Sequence, residues 1–220
     1  MKKIALALCA GAALASSAAM AAQGDILARF RVINVNPDVK ATDLLAPSTP
    51  GNVGLSAGVD DDTIPELDFT YMITNNIGAE LILGTSRHTV TANRAPLKGG
   101  NGSIGKVSVL PPTLTLQYHF NPEGAIRPYV GAGLNYTRFY RAGGLSTEAG
   151  GVSIKKNSFG PALQIGVDIP VTKSVFLNVD LKKIWIDTKA TGNSGTINGV
   201  SLGKLEINPL VFGVGVGMKF

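Results

Sequence analysis

Few residues in this 220-residue chain are of kinds that do chemistry, and their spacing limits what they can do. There are two histidines, His88 and His119, and one cysteine, Cys9. A base that activates a serine must lie within hydrogen-bond reach of it. Only Ser86 and His88 meet that condition, two residues apart on one face of an extended segment, and no acidic partner stands out for them. His88 and His119 fall at opposite ends of consecutive strands, roughly 20 Å apart at ~3.3 Å per residue, and cannot cooperate. The run Gly100-Asn101-Gly102-Ser103-Ile104-Gly105-Lys106 nearly spells a phosphate-binding loop. Val107, however, stands where the metal-holding hydroxyl belongs, and Pro111-Pro112 leaves little room for the helix that must follow. Gly213, Gly215 and Gly217 end the chain with no helix after them, so they form no dinucleotide fingerprint. Asp60-Asp61-Asp62 reads as a solvated acidic loop. The chain is therefore expected to be no enzyme, with no metal and no cofactor.

The informative polar residues are of another sort. Arg29, Arg31, Lys182, Glu80, Asp168 and Asp180, together with Gln164, alternate with apolar residues. An unpaired buried charge costs several kcal/mol, so opposite members of this set are expected to meet in a network.

What must position them is a recurring strand of about ten residues, seen most clearly at the C terminus. Phe212, Val214, Val216, Met218 and Phe220 take every second place, and Gly213, Gly215, Gly217 and Lys219 lie between them. Alternate side chains of a strand point to opposite faces. One face here is apolar and closes on an aromatic, while the other has almost no bulk. That suits lipid on one side and a crowded lumen on the other. Similar segments run over 25–35, 65–74, 77–88, 109–120, 127–140, 158–169 and 175–188, eight strands in all. Short turns at Asn75-Asn76, 121–124 and 170–174 alternate with long loops at 36–64, 89–108, 142–157 and 189–204. Around Lys183-Ile184-Trp185-Ile186 the alternation blurs, and a bulge that changes the phase is expected. Lipid tolerates no open sheet edge. The expected fold is all-β, an eight-stranded antiparallel up-and-down transmembrane β-barrel with both termini periplasmic.

Residues 1–21 carry Lys2 and Lys3, an apolar run from Ile4 to Leu14 and Ala19-Met20-Ala21, the plan of a cleaved secretory signal. The single domain is then 22–220, without a thiol because Cys9 lies in the signal. The formal charge of +5 falls to +3 when Lys2 and Lys3 are removed, and the basic residues form no run longer than a pair. Nucleic acid is not an expected partner. No later apolar run reaches the ~18 residues of a membrane helix, and 27 glycines and 12 prolines argue against long helices.

Certain blocks carry a family resemblance. They are Tyr71-Met72, Asn76-Ile77-Gly78-Ala79-Glu80-Leu81, Leu110-Pro111-Pro112-Thr113-Leu114, the run from Arg127 to Thr137 (RPYVGAGLNYT) and the closing Gly-x-Gly-x-Lys-Phe. Through them the chain resembles the OmpW/AlkL family over essentially all of 22–220, the Arg127 block being the specific one. The resemblance implies a Gram-negative outer-membrane protein, a narrow porin-like barrel that aids uptake of small hydrophobic molecules. It also implies a bacteriocin receptor role in some members. The terminal strand, Phe212, Val214, Val216, Met218 and Phe220, looks like the signal read by the barrel assembly machinery.

An eight-stranded lumen is only wide enough to be filled by side chains, so the inward charges are expected to plug it. An apolar solute would then leave sideways into the bilayer above them. Apolar residues in the outer loops, Leu44, Leu45, Val53, Leu55, Ile104, Val107 and Leu145, are expected to receive the solute. Pro37, Pro65, Pro111, Pro112 and Pro209 lack the amide hydrogen that stitches strands, and any of them is a candidate for the exit. The expected function is a narrow passive conduit for small hydrophobic molecules. The alternative is a surface receptor or anchor whose loops bind a protein such as a bacteriocin. Outer-membrane lipid and lipopolysaccharide are expected around the barrel in either case.

Overall fold

The computed structural model describes residues 22–42, 55–94, 102–147 and 150–220. The signal expected at 1–21, and Leu44, Leu45 and Val53, lie outside the described residues.

Eight strands form the barrel: β1 (Ile26–Asn36), β2 (Asp62–Met72), β3 (Ile77–Gly84), β4 (Thr113–His119), β5 (Arg127–Tyr140), β6 (Asn157–Pro170), β7 (Val175–Ile184) and β8 (Leu210–Lys219). Their outward residues are large and apolar, among them Phe30, Leu67, Leu114, Leu163, Leu177 and Val214, all exposed. In water such a surface would aggregate; in a bilayer it is the solvated face. Sequential neighbours pair antiparallel throughout, and β8 returns to β1 over ten residue pairs, from Leu27 with Lys219 to Asn36 with Leu210. Main-chain bonds between Ile26 and Phe220, at 3.1 and 2.9 Å, complete that seam. Among the described residues there is no α-helix.

Two of the three short turns are closed by threonine. Thr74 Oγ1 accepts from the amides of Asn76 and Ile77 at 3.2 and 2.9 Å, and Thr172 does the same for Ser174 and Val175. A hydroxyl that holds the amides two and three residues on fixes such a turn by itself. Neither Asn75 nor Asn76 has a positive φ, so this turn needs no left-handed residue.

Above the membrane the strands continue instead of giving way to loops. Segments Lys40–Thr42, Leu55–Val59, Ser86–Arg94, Gly102–Leu110, Gly150–Ile154, Asp187–Gly192 and Ser201–Glu206 extend the wall outward. This corrects the placing of Leu55, Ile104 and Val107 in loops. Val107 and Leu145 are buried, not exposed, in an apolar cluster with Phe139, Ile184 and Ile186. The expected phase change near Trp185 does not occur either. Lys182, Ile184, Ile186, Thr188 and Ala190 all point inward and are buried. The hydropathy pattern blurs because the lumen itself turns from charged to apolar above Lys182, while the backbone alternation carries on.

If Val214, paired with Val32 and Val179 at mid-strand, faces the bilayer midplane, Val214→Arg will cost about 2–4 kcal/mol. Urea unfolding of protein refolded into liposomes measures this; a wild-type midpoint would put Val214 in the lumen.

Candidate functional site: a charged layer beneath an apolar chamber

Three layers fill the lumen. The periplasmic end is closed by Leu27, Met72 and Phe176, which cluster together. Above them lies a layer of charge. Arg29 and Arg31 point inward from β1, and the register sets Asp68 opposite Arg29 and Glu66 opposite Arg31 on β2. Arg29 Nη2 meets Asp168 Oδ2 at 2.8 Å, and its Nη1 meets Asp68 Oδ1 at 3.0 Å and Glu80 Oε1 at 3.5 Å. The same guanidinium lies between the rings of Tyr129 and Phe176, 5.3 and 5.5 Å from their centroids, a favourable setting for a desolvated cation. Arg31 reaches Glu66 and Asp68, each at 2.8 Å. Lys182 bridges Glu66 at 2.8 Å and Asp180 at 3.1 Å.

Neutral groups complete the network. Tyr129 donates its hydroxyl to Asp180 at 2.9 Å, Gln164 donates to Asp180 at 2.7 Å, and Asn178 donates to Asp168 at 2.7 Å. Thr115 donates to Glu80 at 3.0 Å. All seven residues expected in the lumen, Arg29, Arg31, Glu80, Gln164, Asp168, Asp180 and Lys182, are brought together here. Glu66, Asp68 and Tyr129 belong to the same layer, though reasoning from sequence left them out of it. The inward phase of Glu66 and Asp68 was visible; their register against β1 was not, because a long connection separates the two strands.

Above the charge the lining becomes aliphatic. A cavity of about 60 Å³ rests on Glu66 and Lys182 and is walled by Ile33, Ile82, Ile184 and Val211. A second, of about 110 Å³, lies further out among Val59, Val90, Ile104, Leu145, Val152 and Leu202. His88, Phe139 and Ile207 border both. His88 Nε2 lies 2.8 Å from Ser86 Oγ, and its Nδ1 lies 2.8 Å from the main-chain oxygen of Asp60. The hydrogen bond that orients the ring is to a carbonyl, with the Asp60 carboxylate standing off at 3.9 Å. The acidic run is used up on the backbone: Asp60 accepts from the amide of Thr89 at 2.5 Å and Asp62 from that of Arg87 at 2.9 Å.

The wall around the inner cavity has more than one lapse in its ladder. Between β2 and β3 main-chain pairing is missing from Pro65 up to Asp60, whose amide reaches Thr89 O. A second lapse lies between β3 and β4, where the pairing stops at Ile82 with Thr113 and resumes above, in the same register, at Ser86 with Val109. Pro111 and Pro112 occupy the interval. On the other side of β3 the pairing with β2 stops at Glu66 and Gly84, next to Pro65. Gly84 and Pro111 both line the inner cavity. Thr85 spans the second lapse by side chain, donating to Val109 O at 3.2 Å and lying 2.5 Å from the Tyr140 hydroxyl. Pro37 and Pro209 differ from these three. The amide of Asp38 reaches Ile207 O at 2.9 Å and that of Ile184 reaches Pro209 O at 3.2 Å, so the wall there is stitched.

A closed antiparallel barrel with an apolar exterior and a filled lumen defines a bacterial outer-membrane protein. The comparisons carry this further. The model of the OmpW family matches residues 22–220, and the chain belongs to that family. It is 35% identical to outer membrane protein W of Vibrio cholerae across 100% of both chains. It is 29% identical to the dibenzothiophene metabolism operon protein PahQ of Pseudomonas aeruginosa, over 76% of each. Among solved structures it is similar to the outer membrane protein OprG of Pseudomonas aeruginosa, with a TM-score of 0.76 and 32% identity over 90% of this chain and 97% of that one.

Arg29 contacts three carboxylates, so Arg29→Ala leaves them buried without their cation. A loss of about 3–5 kcal/mol is expected from breaking such a network on one side, together with a rise in ion conductance through planar bilayers. Unfolding in urea and single-channel recording check the two effects separately.

Proposed function

We propose that this protein is a passive conduit for small hydrophobic molecules, which enter at the outer apolar cavity and leave sideways between β3 and β4. The observation that carries the reading is the position of the lapse between β3 and β4. The aliphatic path ends below on the Glu66–Lys182 ion pair, and β3 beside that end lacks ladder pairing toward β4, where two prolines stand in the interval. An apolar solute descending the lumen meets charge beneath it and hydrocarbon beside it. Entering the charged layer would separate ion pairs in a medium with no water to replace them, whereas stepping into lipid costs an apolar molecule nothing of that kind. The name of the relative PahQ, which places that protein in an operon for a sulfur-containing aromatic compound, is in keeping with such solutes.

Residues Ile104, Val107 and Leu145 serve on this reading as lining of the chamber. Pro65, Pro111 and Pro112 are the exit prolines. A bond across the lapse tests it. Thr85→Cys/Leu110→Cys places two thiols on the outer face of facing segments, in a mature chain expected to have no other. Oxidation should slow uptake of an alkane-like solute severalfold in cells carrying the variant, and reduction should restore it. Uptake that is the same with and without the protein would favour the receptor reading, in which the outer end binds a partner such as a bacteriocin. Free ion passage in the intact protein, with hydrophobic uptake lost in Glu80→Ala, would mean that the solute follows the axis.

The terminal strand is, on the same reading, the segment recognised by the barrel assembly machinery. Deleting Phe220 also removes its two main-chain bonds to Ile26. Outer-membrane levels of the shortened chain, measured by fractionation, should fall well below those of the full chain.

A further inference from the structure

The outer face above β6 and β7 holds a row of lysines that the conduit does not use. Lys155 donates its amide to Lys189 O at 2.9 Å, which continues the register of Ile154 with Ala190. Lys189 in turn stands directly opposite Lys204 on the next segment. Their flanking residues Thr188, Ala190 and Leu205 point inward and are buried, so the three lysines share the outer face. Like charges directly opposite on neighbouring strands destabilise a sheet. Lys204 has carboxylates to offset this, Glu206 at 3.2 Å and Asp187 at 3.3 Å. Lys155 and Lys189 have no ion-pair partner among the described residues. Nor do Lys156 and Arg138, which carry the patch round to β5: Asn157 pairs with Arg138, and Phe139 donates to Lys156 O at 2.7 Å. Four strands round the barrel the rim is acidic, at Asp60, Asp61 and Asp62. The exposed cations on that side, Arg87 and Lys106, thus have acids on neighbouring positions, which, among the described residues, the patch above β5 to β7 has only at Lys204.

Its height is set by the aromatics beneath it. Tyr136 and Phe159 pair across β5 and β6 and are exposed to lipid, and aromatic residues of this kind mark the membrane–water interface. Arg138 stands two residues above Tyr136 and Lys155 four residues from Phe159, roughly 7 and 13 Å along the strands. Long basic side chains reach back toward the interface from there. The short turns and termini lie at the periplasmic end, so this level is that of outer-leaflet headgroups. Repelling cations with no internal counter-ion, at the depth of lipid phosphates, match an anion supplied by the membrane.

We propose that Arg138, Lys155, Lys156 and Lys189 bind the phosphorylated saccharide headgroup of lipopolysaccharide. The site is independent of the conduit and holds whether or not solute leaves between β3 and β4. The test uses the full chain extracted from outer membranes, with the lipopolysaccharide that accompanies it measured per barrel. Lys155→Gln/Lys189→Gln should retain roughly fivefold less for each lysine neutralised. Lys173→Gln, in the periplasmic turn, should retain the wild-type amount, and Lys155→Arg/Lys189→Arg should restore most of what the glutamines lose. Enzymatically dephosphorylated lipopolysaccharide should rebind to the wild-type protein as poorly as the intact lipid rebinds to the glutamine variant. Equal retention by the wild-type and glutamine proteins, both running as heat-resistant folded barrels on electrophoresis, overturns the proposal. So does undiminished binding of the dephosphorylated lipid, which would mean that acyl chains alone hold it.

Discussion

Two guanidinium groups held in a lumen without room for bulk water dictate much of the rest of this barrel. Arg29 and Arg31 are almost wholly buried, and desolvated cations persist only where carboxylates and further hydrogen bonds surround them. The answer is drawn from β2, β3, β6 and β7 at once: Glu66 and Asp68, Glu80, Asp168, and Asp180. The walls of β4, β5 and β8 thus contribute no carboxylate to this layer. Those three contribute hydroxyls, amides, an aromatic ring and empty space. The glycines of β8 are part of the same arrangement. A Cβ on Gly215 would strike the backbone of Phe30 and Arg31, and one on Gly217 would strike the Phe176 ring that flanks Arg29. The small face of the terminal strand is the complement of the side chains it admits.

Depth, rather than face, separates polar from apolar inside this barrel. In the charged layer below Lys182 the inward residues are mostly polar and the outward ones apolar, so alternation in hydropathy matches alternation in space. Above it Ile184, Ile186, Val107 and Leu145 are turned inward, and the lumen becomes a small oily chamber set on an ionic floor. An apolar molecule entering the ionic layer would have to separate ion pairs, and an ion entering the chamber would lose its water without gaining a partner.

This change with depth also explains what could be read from the sequence. Barrel strands flanked by lipid and charge were legible, β5 to the residue at Arg127–Tyr140, because two physically different solvents stamp the two faces. The extension above the membrane was not, since water outside and oil inside leave weaker contrasts over segments rich in Gly, Ser and Thr. Val107 and Leu145 looked like exposed loop residues for that reason. Within the charged layer the members that alternate most plainly were found. Asp68 and Glu66 were not, because the long connection between β1 and β2 leaves open, in sequence, which inward residues stand opposite which. The row of Lys155, Lys189 and Lys204 was invisible for a related cause: a whole hairpin separates Lys155 from Lys189 and a long connection separates Lys189 from Lys204, and only the register places them side by side.

A lapse in a membrane barrel is ordinarily prohibitive, since each unpaired main-chain group facing hydrocarbon costs several kcal/mol. Proline makes it tolerable by removing the donors rather than leaving them unpaired. Pro111 and Pro112 bring no N–H to the wall, so only their carbonyls need partners. Asn135, fully buried on β5, gives its amide to Pro111 O at 3.1 Å and to Pro112 O at 3.3 Å. Thr113 donates to Pro111 O and the amide of Tyr136 to Pro112 O, both at 3.0 Å. The acceptors are thus drawn toward β5 and the lumen, away from β3, and the interval between β3 and β4 is left with little polar demand on the strand that carries the prolines. Another residue at 111 would present its amide hydrogen to β3 and favour extending the ladder across the interval, while one at 112 would face β5, whose Tyr136 already donates to the carbonyl there. The wall is weak at this point because its chemistry has been satisfied elsewhere, which is the condition a lateral route into lipid requires.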